Sequence, residues 1–353
     1  MKALLTGFLA IYAHLSFASA QPTNSFPAAA PELNSSVVKL GHGVNLGNML
    51  EAPREGAWGG TIQEDYFPIL RQAGFTLIRV PIRWSAHVSA APDYKIDPAF
   101  LSRIDWVVAQ AEKNNLQAIL DYHNDEALMK MLPDENPMHH PDTNEFRFVA
   151  IWKQIAEHYK DAPPSILFEL LNEPNGKLDA PHWNELLGKT LAVVRVTNPT
   201  RTVIVGPVAW NGLWMLPKLE LPENDRNLLV TFHFYDPFHF THQGAEWADG
   251  SNAWLGTTWG TDADKKAITD SFDQAAAWGK THDRPMFLGE FGAYSKSPIE
   301  GRARWTAFVA RTAESHGFPW TYWEFCSGFG AYDPIAKQWR QPLLDALLSK
   351  SGN

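Results

Sequence analysis

The chain has 353 residues, 45% of them hydrophobic and 20% charged, so it can fill a large core and does not read as a disordered segment. Its formal net charge of -9 disfavours nucleic acid as a partner, because such binding leaves a basic footprint, and suits a neutral ligand. The single cysteine, Cys326, excludes an intrachain disulfide and reads as a buried small hydrophobe rather than a nucleophile.

At the N-terminus, Lys2 precedes an apolar stretch that ends in Ala18-Ser19-Ala20. This pattern predicts a signal peptide over 1–20, cleaved after Ala20, and so a secreted or periplasmic protein. Residues 21–33, rich in Pro, Ala, Ser and Asn, predict a flexible leader. No later stretch is apolar enough over bilayer length to span one, so no membrane contact is expected after cleavage. Apolar runs ending in polar or aromatic residues then predict strands over 43–46, 77–82, 118–122, 166–171, 203–208, 229–234, 286–290 and 320–325. Amphipathic patterns between them predict helices over 98–113, 144–159, 180–196, 264–281 and 299–316, several opening on Asp, Asn or Pro. Strand and helix in eightfold alternation predict a parallel (β/α)8 TIM barrel, α/β in class, as one catalytic domain over 34–353. Residues 236–260 exceed a simple strand-to-helix connection, and a loop that long in a compact domain is usually functional.

In such a barrel, catalytic groups gather at the C-terminal strand ends. Those ends carry Arg79, His123, Asn172 with Glu173, His233 with Tyr235, Glu290 and Trp323. The two glutamates matter most. Glu173 stands in Leu171-Asn172-Glu173-Pro174 and Glu290 in Leu288-Gly289-Glu290-Phe291-Gly292, each where a hydrophobic run stops. Cleaving the acetal between two sugars needs one carboxylic acid to protonate the leaving oxygen and a second carboxylate to attack or to activate water. The 15 tryptophans fit the same chemistry, since flat indoles stack on apolar sugar faces, although many must be core.

These pieces, together with Gly43-Val44-Asn45-Leu46-Gly47-Asn48, Arg79-Val80-Pro81-Ile82-Arg83-Trp84, Asp121-Tyr122-His123, His233-Phe234-Tyr235 and Tyr322-Trp323, occur in order from Gly41 to strand eight. In that order the chain is similar to glycoside hydrolase family 5, the cellulase family with a barrel fold. The resemblance implies a retaining double displacement with Glu173 as acid/base and Glu290 as nucleophile. It implies that Arg79 and Tyr235 hydrogen-bond the nucleophile and keep it a carboxylate, that Asn172 bonds the sugar 2-hydroxyl, and that His123 and His233 bind substrate or orient the pair. It further implies that Trp323 is the platform under the sugar and that His87 contacts substrate. The expected activity is endo-β-1,4-glucanase on cellulose-type or mixed-linkage β-glucan, with β-mannanase the nearest alternative. A β-glucan polysaccharide or oligosaccharide is the expected partner of a monomer that needs no cofactor and no metal.

Other groups are weighed against this pair. Regular alternation along strand four would point Glu169 to the side of Glu173 but deeper, paired with Arg79 or Arg83, and Asp121 would be the deeper neighbour of His123. Glu324 should face away from Trp323 and takes no catalytic role. A barrel metallohydrolase would also gather histidines, here His123, His233, His139-His140, His239 and His242, but strand one offers no His-x-His. A glucan-binding barrel without chemistry is the rival from another class, and substitution of either glutamate separates the two. The loop over 236–260 carries Trp247, Trp254 and Trp259 among turn residues that are not expected to build a helix. At least one of these indoles is expected to face the groove.

Overall fold

The computed structural model describes residues 39–130 and 143–348. The signal peptide expected over 1–20, the leader over 21–33 and the histidines at 139–140 lie outside the described residues. Eight parallel strands close into a barrel in chain order. They are β1 (His42–Asn45), β2 (Leu77–Ile82), β3 (Gln117–Tyr122), β4 (Ile166–Glu169), β5 (Val203–Val205), β6 (Leu228–Phe234), β7 (Met286–Phe291) and β8 (Trp320–Tyr322). No helix among the described residues is long and apolar enough to cross a membrane.

Strands four, five and eight are expected to run on to 171, 208 and 325, and the ladders stop earlier. Hydrophobicity outlasts pairing at those ends: Leu170, Leu171 and Phe325 are buried as loop residues, and Val208 opens a short helical turn. Proline at position 207 cannot donate to a ladder. The helices form where amphipathicity placed them and start on side-chain caps. Asp97 accepts from Ala99 N ahead of Pro98–Lys113, Thr143 from Phe146 N ahead of Asn144–His158, and Asp179 from His182 N ahead of Ala180–Thr197. Thr261 and Asp264 make a reciprocal capping box at the head of Asp262–His282.

Alternation along the strands sorts the barrel interior into layers. The bottom layer is apolar: Leu77, Ile119, Leu167, Ile204, Leu229 and Phe287 form a cluster with Leu40 packed against it. Each such side chain contributes roughly 1.5–3 kcal/mol by leaving water. Two residues further along, the same strands turn Arg79, Asp121, Glu169 and Thr231 inward, with Asn45 and Thr321 beside them, all fully buried. Outward residues join the large core beneath the helices. Its tryptophans also fix the rim, because Trp152 donates to Leu170 O, Trp183 to Gly206 O and Trp305 to Asp236 O.

Candidate active site

Arg79 organises the polar layer. It lies within β2 rather than at its end, so it sits under the bowl and not on its surface. Its Nε and Nη2 donate to both oxygens of Glu169 at 2.7 and 2.9 Å, and Nη1 donates to Glu290 Oε1 at 2.7 Å and Asn45 Oδ1 at 2.9 Å. Nη2 also donates to Asn172 Oδ1 at 2.8 Å and lies 3.0 Å from Asp121 Oδ2. One guanidinium thus serves three buried carboxylates. Burial alone would lower its pKa, but the charges of Asp121, Glu169 and Glu290 outweigh burial and hold it well above the usual arginine value. One cation cannot balance three anions in a dry layer: burial pushes Asp121 up to about 7 and raises Glu169, with Arg79 only partly offsetting it.

Above this layer stand the two glutamates. Strict alternation after Phe287 and Gly289 would turn Glu290 out of the barrel. A register shift corrects this: Phe232 pairs with Leu288, but His233 pairs with Glu290, so Gly289 is an extra residue and Glu290 points inward. Only glycine fits there, since a Cβ would stand 2.5 Å from Thr231 Oγ1. Glu173 arrives differently. Strand β4 ends four residues before it, Asn172 N bonds Tyr122 O, and Glu173 takes a left-handed φ of 48° that lifts its side chain into the bowl. The regular alternation expected through Glu173 therefore does not hold, although Glu169 is the deeper residue, paired with Arg79.

Tyr235 donates to Glu290 Oε2 at 2.7 Å, so both Glu290 oxygens are held. His233 Nδ1 lies 2.8 Å from Glu173 Oε1 and 3.6 Å from Glu290 Oε2, bridging the two acids. Carboxylate oxygens of Glu173 and Glu290 and a nitrogen of His233 all lie within 4.8 Å of one another. Burial pushes Glu173 up to about 7, with the Glu169 charge adding to it against His123 and Arg79. Burial also drives His233 down to about 4 and lowers His123, so both imidazoles are neutral. His123 Nδ1 is 2.5 Å from Asp121 Oδ2, the deeper neighbour expected of it. The arrangement sets a carboxyl whose burial favours the protonated form beside a second one held by Arg79 and Tyr235. Glu173, His233 and Glu290 are also, among the described residues, the one His and carboxylate group close enough to share a cation, and Arg79 already compensates Glu290 there.

These groups floor an open cleft with a cavity volume of about 870 Å³. His123, Asn172, Glu173, His233, Tyr235, Glu290 and Trp323 all line it. His87 does not: its ring stacks on Phe100 at 3.7 Å, tucked against the helix that follows β2. Of the three loop indoles, Trp247 faces the cleft, while Trp254 stacks on His239 and Trp259 packs on Phe308. That loop does build helical turns, Phe238–Thr241 and Ser251–Trp254, because buried Gln243 ties it together by donating to Phe240 O and Thr257 O. Glu324, absent from the cleft lining, is buried and accepts from the N–H groups of Cys326, Ser327 and Phe329, which anchors that loop. Sequence reasoning missed Trp210 and Trp214, exposed indoles that line the cleft from the turn after β5. The signal was present in Trp210-Asn211-Gly212, a turn following a strand end.

The cellulase (glycosyl hydrolase family 5) model matches residues 38–328, which hold every cleft residue named above. The chain belongs to glycosyl hydrolase family 5. Among family 5 structures it is similar to Thermotoga maritima Cel5A, solved in complex with mannotriose and with cellobiose. That likeness has a TM-score of 0.83 and 46% identity over 88% of this chain and 97% of the other. Endoglucanase H of Acetivibrio thermocellus is 35% identical over 303 residues, 86% of this chain but 31% of the relative. Endoglucanase A of Ruminococcus albus is 30% identical over 341 residues, 88% of this chain and 90% of the relative. The chain thus spans about a third of the length of the first two curated relatives, at 31% and 36%.

Proposed function

We propose that this family 5 chain is a retaining endo-β-1,4-glucanase acting on cellulose-type or mixed-linkage β-glucans by double displacement. The observation that carries the reading is the approach of the Glu173 and Glu290 carboxylates to within 4.8 Å on the floor of an open aromatic cleft. Retaining pairs stand about 5–5.5 Å apart, whereas inverting pairs need about 6.5–9.5 Å to admit a water between carboxylate and sugar. In the first step a Glu290 oxygen bonds the anomeric carbon, and the bond to the leaving oxygen breaks as that oxygen takes the Glu173 proton. In the second, Glu173, now a carboxylate, takes a proton from water, whose oxygen displaces Glu290. Asn172 Oδ1 is occupied by Arg79, which turns its amide N–H groups toward the sugar 2-hydroxyl. Trp323 supplies a flat platform beside His123, the two rings lying 5.8 Å apart and 10° from parallel.

The relatives' endoglucanase names and the cellobiose complex support glucan as substrate, and the mannotriose complex makes mannan the nearest alternative. The segment over 1–20 supports export as its setting. A hydrolysis panel of carboxymethylcellulose, barley β-glucan, lichenan, glucomannan and xylan, run with and without chelator, tests the reading. Glucans should be cleaved fastest at rates that chelation leaves unchanged, since carboxyl groups supply both proton and nucleophile. A mannan preference moves the assignment to mannanase, and chelator inhibition reversed by zinc sinks the mechanism.

Trp247 gives a second check. Its side chain is 61% exposed on the cleft wall and braced by Tyr294 at 4.8 Å. Trp247→Ala should lower kcat/KM about three- to tenfold on long glucans and leave short aryl glycosides near the parent value, because remote binding energy is lost only by the extended substrate. An unchanged ratio of the two activities would remove Trp247 from the binding surface.

A further inference from the structure

Three consecutive residues after β5, Ala209, Trp210 and Asn211, adopt left-handed backbone with φ of 58°, 59° and 54°. L-residues avoid this region because Cβ crowds the following carbonyl, so the run must be held by its surroundings. Two contacts hold it, and both lead to Glu173. Trp210 N donates to the carbonyl of Pro174, the next residue after Glu173, at 3.3 Å. The fully buried Asn211 places Nδ2 3.3 Å from Nε2 of His233, whose other nitrogen meets Glu173 Oε1. Gly206 makes the space, since a Cβ there would stand 2.3 Å from Asn211 Oδ1.

We propose that Asn211 is a positioning residue that fixes the His233 proton on Nδ1, so that the imidazole always donates to Glu173 Oε1 and leaves Oε2 to deliver the catalytic proton. An amide N–H only donates, so the ring nitrogen it meets must carry the lone pair. A neutral imidazole has one N–H, which then points at Glu173, and burial keeps His233 neutral by driving it down to about 4. With that tautomer locked, His233 cannot accept the acid's proton. It instead supports the carboxylate that forms when Glu173 protonates the leaving oxygen, and the proposal rests on that reading of Glu173. The other groups that act on this pair are Arg79 from β2, Asp121 from β3, His123 beyond its end, Glu169 from β4, Tyr235 beyond β6 and Glu290 from β7. Substitution at Asn211 alters none of them.

The ring nitrogens of His233 in the full-length protein, read by 15N NMR, should show the proton on Nδ1. In Asn211→Asp a carboxylate replaces the donor and should draw that proton to Nε2. Both Asn211→Asp and Asn211→Leu should lower kcat/KM on β-glucan by about ten- to a hundredfold and shift the alkaline limb of the pH profile. Loss in the first step with dinitrophenyl cellobioside, which needs little acid help, should stay below about threefold. A parent His233 protonated on Nε2 overturns the proposal, as does equal loss on both substrates with an unmoved pH profile. The parent spectrum decides the matter even if neither variant folds. Failure of the parent to cleave glucans would instead strike the functional reading and leave the tautomer measurement standing.

Discussion

Glu173→Ala should lose about a thousandfold or more on polysaccharide while keeping most of its first-step rate on dinitrophenyl cellobioside, because a good leaving group departs without general acid help. Its second step lacks a base, so hydrolysis of the glycosyl-enzyme ester at Glu290 should become limiting, and added azide should restore turnover by displacing Glu290 and give a glycosyl azide of retained configuration. Glu290→Ala should abolish both activities, and azide should there yield the inverted product, since the ion takes the place of the nucleophile. The parent profile should fall on the alkaline side as pH rises through about 7, where Glu173 gives up the proton that it must deliver. That limb should vanish in Glu173→Ala with the activated substrate. Equal loss on both substrates, or a limb that persists, would assign the acid to another group.

The barrel was legible because its signals are periodic. Apolar runs of strand length alternate with amphipathic helices whose Asp and Thr caps are written in the chain, and the helix Pro98–Lys113 forms over the expected residues. The cleft floor was legible for a different reason. Barrel geometry converts strand ends into neighbours, and the residues expected at those ends line one cleft, except Arg79, which lies buried beneath it. What escaped depends on departures from periodicity. The extra residue at Gly289 turns Glu290 inward against plain alternation, and the left-handed Glu173 replaces the strand geometry assumed for it. His87 was misplaced because the turn Trp84–Ala86 carries the chain away from the end of β2, and the ring then stacks on Phe100 of the following helix. Trp210 and Trp214 escaped because an apolar run, Val203 to Val208, hid the point where pairing stops and a turn begins.

Removing Arg79 should unsettle the molecule more than removing either glutamate. Its side chain and those of Asp121 and Glu169 are fully buried, and Glu290 is nearly so. In Arg79→Met the cation disappears while the three carboxylates stay in a dry layer, and stripping one partner from such a cluster costs about 3–5 kcal/mol. For a domain of this size the melting midpoint should fall on the order of 10 °C, with activity falling in parallel as Glu290 and Asn172 lose their anchor. The pH dependence fixes the cause. Asp121 already stands at about 7 and Glu169 is raised, both by burial and with Arg79 opposing the shift, so its loss raises them further. A carboxyl whose folded pKa exceeds its unfolded value destabilises the protein above the folded pKa, and the penalty fades as pH falls toward the unfolded value. The stability deficit of Arg79→Met should therefore be largest at pH 8 and shrink toward pH 5. Arg79→Lys should recover part of the midpoint by returning a charge, but little activity, because one ammonium cannot reach Glu169, Glu290, Asn45 and Asn172 together as the planar fork does. A deficit that is the same at pH 5 and pH 8 would mean that Arg79 fills space, and that the acids beneath the site do not depend on its charge.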